Sequence, residues 1–293
     1  MILVTGATGH LGRATINFLL KKVPANQISA LVRSEAKGAE FTEKDITVHI
    51  GDYTDYDSMV KAFAGTDKLF LISSSDFSKE DRVAQHTNAI KAAKAAGVQH
   101  VVYTGFDLKD PDHTALAELE DAHKETADYL KTSGLSYTVL DNNLYADTLP
   151  QFLGEKVLET GVFFPAGFGK VPFATRMDMA EASATLLASD AYQENAYPFA
   201  SDEVYSFDDI AKILSELSGK EVPYLNPSKE TFITQMKGFG VPEMAAGFMA
   251  AFGEAIANDE LDTKRTVLPE LLGRKPTSLK EYLKSVYFPA KQV

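Results

Sequence analysis

The sequence contains no cysteine. This absence excludes disulfide bonds, catalytic thiolates, and zinc or iron–sulfur sites held by cysteine. Positive side chains are also fewer than negative ones, with 29 Lys and Arg against 41 Asp and Glu and a formal net charge of −12 at pH 7. Because affinity for nucleic acid depends on Lys and Arg that neutralise phosphates, we expect no nucleic-acid partner.

Long apolar runs are lacking as well. No stretch approaches the roughly 20 apolar residues that span a bilayer, and no basic, apolar leader precedes the first predicted strand. We therefore expect a cytoplasmic protein without a membrane span. The composition, 45% hydrophobic and 24% charged over 293 residues, is typical of a folded globular protein. This length accommodates one large α/β unit with an appended lobe.

A glycine-rich turn at residues 6–12, GATGHLG, lies between an apolar strand at residues 2–4 and a helical pattern. In such a turn the first glycine permits the tight bend, the second lets the backbone approach a pyrophosphate, and the third lets helix and strand pack closely. Free N–H groups at the helix start then bind the phosphates. The predicted cofactor contacts are Gly6, Thr8, Gly9, His10, Leu11 and Gly12.

Strand and helix patterns alternate through the first half of the chain. The predicted strands cover 27–32, 46–50, 68–72, 100–104 and 136–140, and the predicted helices cover 55–64, 83–96 and 115–132. This alternation implies right-handed crossovers and an α/β fold with a doubly wound parallel sheet, the Rossmann fold. A dinucleotide would lie at the carboxyl edge of that sheet.

Beyond residue 143 the alternation loosens, and prolines break the longer elements. We predict an NAD(P)-binding Rossmann domain at 1–150 and a smaller, mostly helical substrate-binding lobe at 151–293, from which some strands return to the main sheet. Two amphipathic stretches, 207–217 and 279–286, have the spacing of helices that pack against a core.

The ends of the predicted strands indicate which dinucleotide is bound. An NAD site usually presents a carboxylate at the end of the second strand, but Arg33 stands there. A guanidinium can pair with a 2′-phosphate, so NADP(H) is preferred over NAD(H). Asp52 can accept from the adenine amino group, although it also suits an ordinary helix start. The hydroxyl residues Ser73, Ser74 and Thr104 are expected along the nicotinamide ribose.

Common short-chain dehydrogenases use a Tyr and a Lys four residues later for proton transfer. Of the 12 tyrosines, only Tyr287 has this spacing, to Lys291, and Pro289 interrupts any helix between them. We therefore predict chemistry that does not use a Tyr–Lys pair. The six histidines show no metal-ligand spacing, so we also predict no metal site.

Five segments follow one another along the chain: VTGATGHLG, LVRS, LFLISSS, AIKAAKAAGVQHVVYTG and GLSYTVLDNNLY. In this order they resemble the NmrA-like branch of the atypical short-chain dehydrogenases, and within it the bacterial NADPH:quinone oxidoreductase and triphenylmethane reductase group. The resemblance spans nearly the whole chain. It implies NADPH in the Rossmann domain and a substrate between that domain and a small C-terminal lobe.

The resemblance also implies a catalytic residue. In related plant ether and isoflavone reductases, a Lys early in the helix before the segment at 135–138 acts as a general acid or base. His123 occupies that position here, as a histidine does in the quinone and dye reductase group. Histidine can donate or accept a proton near neutral pH. The alternative is a partly exposed helix histidine without a catalytic role.

Further contacts follow from the same resemblance. Asn143 and Tyr145 match a family segment beside the nicotinamide and the substrate, which implies a cofactor contact for Asn143 and a substrate contact for Tyr145. The usual Arg of that segment is replaced by Asp141 here. This replacement puts in question whether the chain acts on the substrates of the family. Phe106, at the end of the fifth strand, is expected to border the substrate.

These features favour an NADPH-dependent reductase that transfers hydride to a quinone or a related conjugated electrophile, as a monomer or a homodimer. One alternative is a non-catalytic dinucleotide redox sensor that, like NmrA itself, acts on a protein partner. The other is a nucleotide-sugar epimerase, which is disfavoured because that chemistry normally needs the missing Tyr–Lys pair.

Overall fold

The computed structural model describes residues 1–76, 78–190 and 196–289. Its strands are β1 (Ile2–Val4), β2 (Ile28–Val32), β3 (Thr47–Ile50), β4 (Lys68–Leu71), β5 (His100–Phe106), β6 (Ser136–Asn142), β7 (Val162–Phe163), β8 (Ala196–Phe199) and β9 (Tyr224–Leu225). Its α-helices are α1 (His10–Leu19), α2 (Ala39–Thr42), α3 (Tyr56–Phe63), α4 (Lys79–Ala96), α5 (Ala117–Thr132), α6 (Leu149–Leu153), α7 (Val157–Thr160), α8 (Arg176–Leu187), α9 (Phe207–Ser218), α10 (Lys229–Gly238), α11 (Glu243–Ala257), α12 (Leu268–Leu272) and α13 (Leu279–Tyr287).

Seven strands form one sheet in the order β3-β2-β1-β4-β5-β6-β8, and every neighbouring pair in it is parallel. This confirms the predicted doubly wound Rossmann sheet. The predicted elements are present with shifted ends. The helix predicted at 83–96 begins earlier, at Lys79, because the Ser78 hydroxyl accepts from the Asp81 N–H and caps it.

Both faces of the sheet are buried, as expected of parallel strands. In β1, Ile2 and Val4 point to the face that α1 and α8 cover, while Leu3 points to the face covered by α3, α4 and α5. Successive side chains of a strand alternate between faces, so even this three-residue strand contributes to both cores. The carboxyl edge of the sheet is left for a ligand.

A third apolar cluster forms the lobe after residue 150. Phe164 stacks on Phe152 and on Phe207, with ring centroids 4.8 and 4.5 Å apart, and β7 pairs with β9 nearby. The strand β8 and the helix α8 also follow residue 150 but belong to the Rossmann layers, where β8 pairs with β6 and α8 packs on α1. One strand after residue 150, β8, thus lies in the main sheet, and the boundary at residue 150 stays a prediction.

One buried carboxylate ties the C-terminal segment to the Rossmann layers. Asp178, in the first turn of α8, is 1% exposed and accepts hydrogen bonds from the guanidinium of Arg274, the N–H of Thr277 and the hydroxyl of Thr175. Thr175 caps the same helix by accepting from the Asp178 N–H. Asp178 is therefore structural, since its oxygens are occupied by groups of the protein.

We expect Asp178→Ala to lower the free energy of unfolding by about 2–4 kcal/mol, because it removes the buried acceptor of the Arg274 guanidinium and leaves the Thr277 N–H without its partner. Urea denaturation at pH 7 measures the loss. The control is Glu181→Ala, which removes a more exposed partner of Arg274 and should cost less than about 1 kcal/mol. Equal losses in the two variants would contradict the role given to Asp178.

Candidate active site

The glycine-rich turn connects β1 to α1 at the middle of the sheet. Gly6 has φ +56°, a left-handed conformation that favours glycine. A Cβ on Gly12 would lie 2.4 Å from the carbonyl oxygen of Gly6, so only glycine permits this packing. Gly9 precedes α1, no side chain of the described residues caps this helix, and its first turn has no acidic residue. The N–H groups of that turn therefore suit a phosphate.

The remaining turn residues surround this helix start. Gly6, Gly9 and His10 are exposed and Thr8 is half-buried, whereas Leu11 packs into the core. The structure thus brings the predicted phosphate-binding residues to one place. Their contact with a cofactor stays a prediction.

Arg33 and Asp52 come together at the ends of β2 and β3. Hydrogen bonds from the N–H and hydroxyl of Thr54 to Asp52 lower the pKa of its carboxyl, and the charge of the nearby Arg33 lowers it further. Arg33 is exposed and makes no hydrogen bond to another described residue, so its guanidinium is accessible to an anionic ligand. One oxygen of Asp52 is occupied by Thr54, which leaves the other for a ligand.

The loop after β4 is held against β5 and α4. The Ser73 N–H donates to the Thr104 hydroxyl oxygen at 2.8 Å, and the Ser74 N–H donates to His86 Nε2 at 2.9 Å. The Ser74 hydroxyl donates to the side chain of Gln85. The structure therefore brings the three predicted hydroxyl residues together, and their contact with a ribose stays a prediction.

His123 lies on α5, facing the end of β5. It is 9% exposed, its Nδ1 is 2.8 Å from the hydroxyl of Tyr103, and its ring centroid is 6.0 Å from that of Phe106. Burial lowers the pKa of His123 well below its ordinary value, and the positive charge of Arg82 adds to the effect. His123 is therefore neutral at physiological pH.

The two predicted substrate residues lie in different packing environments. Phe106 packs edge-on against Phe252 of the lobe, with centroids 6.4 Å apart. Tyr145 packs against the apolar cluster that α1 and α8 form with the sheet. The Cζ of Arg176 lies 4.5 Å from its ring centroid, and its hydroxyl oxygen accepts a hydrogen bond from the Asn142 side chain. No direct contact between Phe106 and Tyr145 is seen, and their contact with a substrate stays a prediction.

Asn143 is 1% exposed, and its side-chain amide makes hydrogen bonds within the protein. Its Nδ2 donates to the Leu261 carbonyl at 3.0 Å and to the Asp107 carboxylate at 3.3 Å, and its Oδ1 accepts from the Leu144 N–H. These contacts attach the end of β6 to the C-terminal segment. The predicted contact of Asn143 with the cofactor stays a prediction, and the observed bonds give it a positioning role.

Sequence reasoning missed a buried ion pair beside Asn143. Asp107 is fully buried and binds Arg265 and Thr263. Arg265 also lies 3.9 Å from Asp141, the residue that replaces the family's Arg. Burial raises the pKa of Asp141 to about 6, and the charge of Asp107 adds to this rise. An arginine from elsewhere in the chain thus supplies a cation at this point.

No three His, Asp or Glu side chains form a metal-binding group in the part of the chain that the structure describes. Tyr287 ends α13, and its spacing partner Lys291 lies outside the described residues.

None of the helices within the described residues is long and apolar enough to cross a bilayer. Two surface grooves of about 500 and 400 Å³ lie along α4, and no predicted site residue lines either.

Comparison with known proteins agrees with this arrangement. Residues 1–283 match the model of the NmrA-like family. The chain is 37% identical to quinone oxidoreductase 2 of Escherichia coli strain K12, over 98% of this chain and 99% of that protein. It is 28% identical to the NAD(P)H azoreductase of Xenophilus azovorans, over 97% of each. The crystal structure of Citrobacter sp. triphenylmethane reductase complexed with NADP(H) superimposes with a TM-score of 0.92 and 37% identity, over 97% of this chain and 99% of that one.

One buried carboxyl near His123 makes stability depend on pH. Burial raises the pKa of Glu120 from 4.5 to about 7, and the charge of Asp141 adds to the rise, while one of its oxygens has no partner among the described residues. A raised pKa means that the folded state binds the proton of Glu120 more tightly than the unfolded state does. The free-energy cost of ionising this buried carboxyl therefore lowers stability increasingly as pH rises from about 4.5 to about 7, and it is complete above about 7.

We expect Glu120→Gln to stabilise the fold by on the order of 1 kcal/mol at pH 8 and to change it little at pH 4.5. Urea denaturation at the two pH values measures the difference. Glu118→Gln, an exposed position on the same helix, is the control and should show no such pH dependence. A Glu120→Gln protein less stable than wild type at pH 8 would refute the assignment.

Proposed function

The chain belongs to the NmrA-like family, and we propose that it is a reductase that transfers hydride from NADPH to a quinone or a related conjugated electrophile. Its cofactor is NADP(H), and it is an NAD(P)H-dependent oxidoreductase. The observation that carries the choice of acceptor is the position of His123, a buried, neutral histidine on α5 that faces the end of β5 and lies beside Phe106.

The residues at the sheet edge fit the dinucleotide. The uncapped start of α1 suits the pyrophosphate, and the approach of Gly12 to Gly6 leaves no side chain in the way. Arg33 is exposed and suits the 2′-phosphate. When bound, NADPH supplies a hydride from C4 of its nicotinamide, so the protein must chiefly bind and orient the two reactants.

The residues around His123 suit a flat, conjugated acceptor. Phe106 lies beside His123 and packs on the buried Phe252, so an aromatic ring adjoins the polar hydrogen of His123. A quinone presents a planar ring and a carbonyl oxygen, which match these two features. In this proposal His123 donates a hydrogen bond to the oxygen that becomes negative, and Phe106 and Tyr145 flank the acceptor.

The first test is turnover. Oxidation of NADPH should accelerate with small quinones and triphenylmethane dyes, and His123→Ala should lower kcat roughly 10- to 100-fold because a hydrogen-bond donor at the reacting oxygen is lost. His113→Ala, at an exposed loop histidine, is the control and should leave kcat unchanged.

Rates equal to those without enzyme across the panel would refute the reductase proposal. Tight binding of NADP⁺ and NAD⁺ without turnover, together with a captured protein partner, would instead support a redox sensor. Turnover that His123→Ala leaves unchanged would remove His123 from the mechanism.

The second test concerns Arg33. Arg33→Ala should weaken NADPH binding about 10-fold or more and leave NADH binding nearly unchanged, since only NADPH has the 2′-phosphate. Isothermal titration calorimetry measures both dissociation constants. Lys22→Ala, which removes an exposed positive charge at the amino edge of β2, is the charge-matched control. Equal losses for the two cofactors in Arg33→Ala would contradict the assignment of the 2′-phosphate site.

A further inference from the structure

A chain of buried polar groups lies behind His123. It begins at the N–H of Ser74, which donates to His86 Nε2 at 2.9 Å. The Nδ1 of His86 lies 2.9 Å from the Thr126 hydroxyl and 3.3 Å from the hydroxyl of Tyr103. Tyr103 in turn lies 2.8 Å from Nδ1 of His123. His86, Tyr103 and Thr126 are all fully buried, so water does not compete for these bonds.

The hydrogens of this chain can be placed from its fixed end. A backbone N–H can only donate, so Nε2 of His86 is an acceptor and the hydrogen of this neutral ring is on Nδ1. Burial lowers the pKa of His86 to about 3, and the charge of Arg82 adds to the effect, which keeps the ring neutral. The Thr126 hydroxyl donates to the Ala122 carbonyl at 2.7 Å and therefore accepts from His86.

The same reasoning extends to His123. Because His86 Nδ1 already carries a hydrogen, the Tyr103 hydroxyl cannot donate to it. Of the two ring nitrogens within hydrogen-bond distance of the Tyr103 hydroxyl, Nδ1 of His123 is therefore the one that can accept its hydrogen. A neutral His123 then carries its own hydrogen on Nε2.

We propose that Tyr103, oriented by His86 and Thr126, is a positioning residue that holds His123 in the Nε2–H tautomer, so that Nε2–H donates a hydrogen bond to the acceptor's oxygen. This inference rests on the proposed reductase function and specifies how His123 acts in it. The chain starts in the loop at Ser73 and Ser74, which is predicted to run along the nicotinamide ribose. The hydrogen bonds of this chain thereby connect the position of that loop to the placement of the hydrogen on the His123 ring.

Hydride transfer to the acceptor requires no change in the protonation state of His123. Two electrons and one proton reach the acceptor as the hydride that oxidises NADPH to NADP⁺, and the negative charge settles on the acceptor's oxygen. His123 Nε2–H stabilises that oxygen as a neutral donor, and water supplies the second proton. A neutral imidazole acting in this way keeps its donor hydrogen through the whole cycle.

Nitrogen NMR of the ¹⁵N-histidine-labelled protein, alone and with NADP⁺, tests the proposal. In the wild type, His123 should show an unprotonated Nδ1 and a protonated Nε2, unchanged from pH 6 to 8. Tyr103→Phe should convert this into a mixture of tautomers, lower kcat with a small quinone about 10-fold, and change the NADPH dissociation constant less than about 2-fold.

Tyr287→Phe is the matched control, since the Tyr287 hydroxyl is buried without a partner among the described residues. It should leave the His123 signals unchanged. A protonated Nδ1 of His123 in the wild type would overturn the proposal even if Tyr103→Phe does not fold. So would a Tyr103→Phe protein with the wild-type tautomer. The NMR result does not require turnover, so it separates failure of this inference from failure of the reductase proposal.

Discussion

The parallel direction of seven strands is the constraint on which the rest of the structure depends. It brings the carboxyl ends of β1, β2, β3, β4, β5 and β6 to one edge of the sheet, and it obliges helices to cover both faces. The edge is consequently the place where loop residues from distant parts of the chain can meet. The glycine turn, Arg33 and the serine loop meet there, and His123 reaches the same region from α5 (Ala117–Thr132).

Desolvation determines the chemical state of the groups that meet there. The rings of His86 and His123 are buried near the charge of Arg82, so both are neutral. Their hydrogens are positioned by hydrogen bonds to neighbouring side chains, for which water does not compete. Arg33 is exposed, so its guanidinium is accessible to a ligand. The edge therefore divides into a solvated, charged part suited to phosphates and a dry, neutral part suited to an apolar acceptor.

Local patterns in the sequence were sufficient to predict the sheet and the phosphate turn. Alternating strands and helices, and three glycines at fixed spacing, are determined by neighbours within a few residues. The pairing of Asp107 with Arg265 joins residues 158 positions apart, so no local pattern could reveal it. Tyr103 resembled an ordinary strand residue in HVVYTGF, although a tyrosine in a fully buried strand signals a partner for its hydroxyl. Asn143 matched a motif, but its bonds could be known only once Leu261 was placed beside it.

The position of β8 (Ala196–Phe199) in the sheet has a consequence for biosynthesis. This strand pairs with β6, which leaves the ribosome more than 50 residues earlier, so the sheet edge at β6 has no neighbour until most of the chain has been made. Contacts between such distant segments are also slow to form. The nucleotide-binding half therefore cannot complete its core as an autonomous early unit, and the two halves are expected to fold together after synthesis rather than in succession.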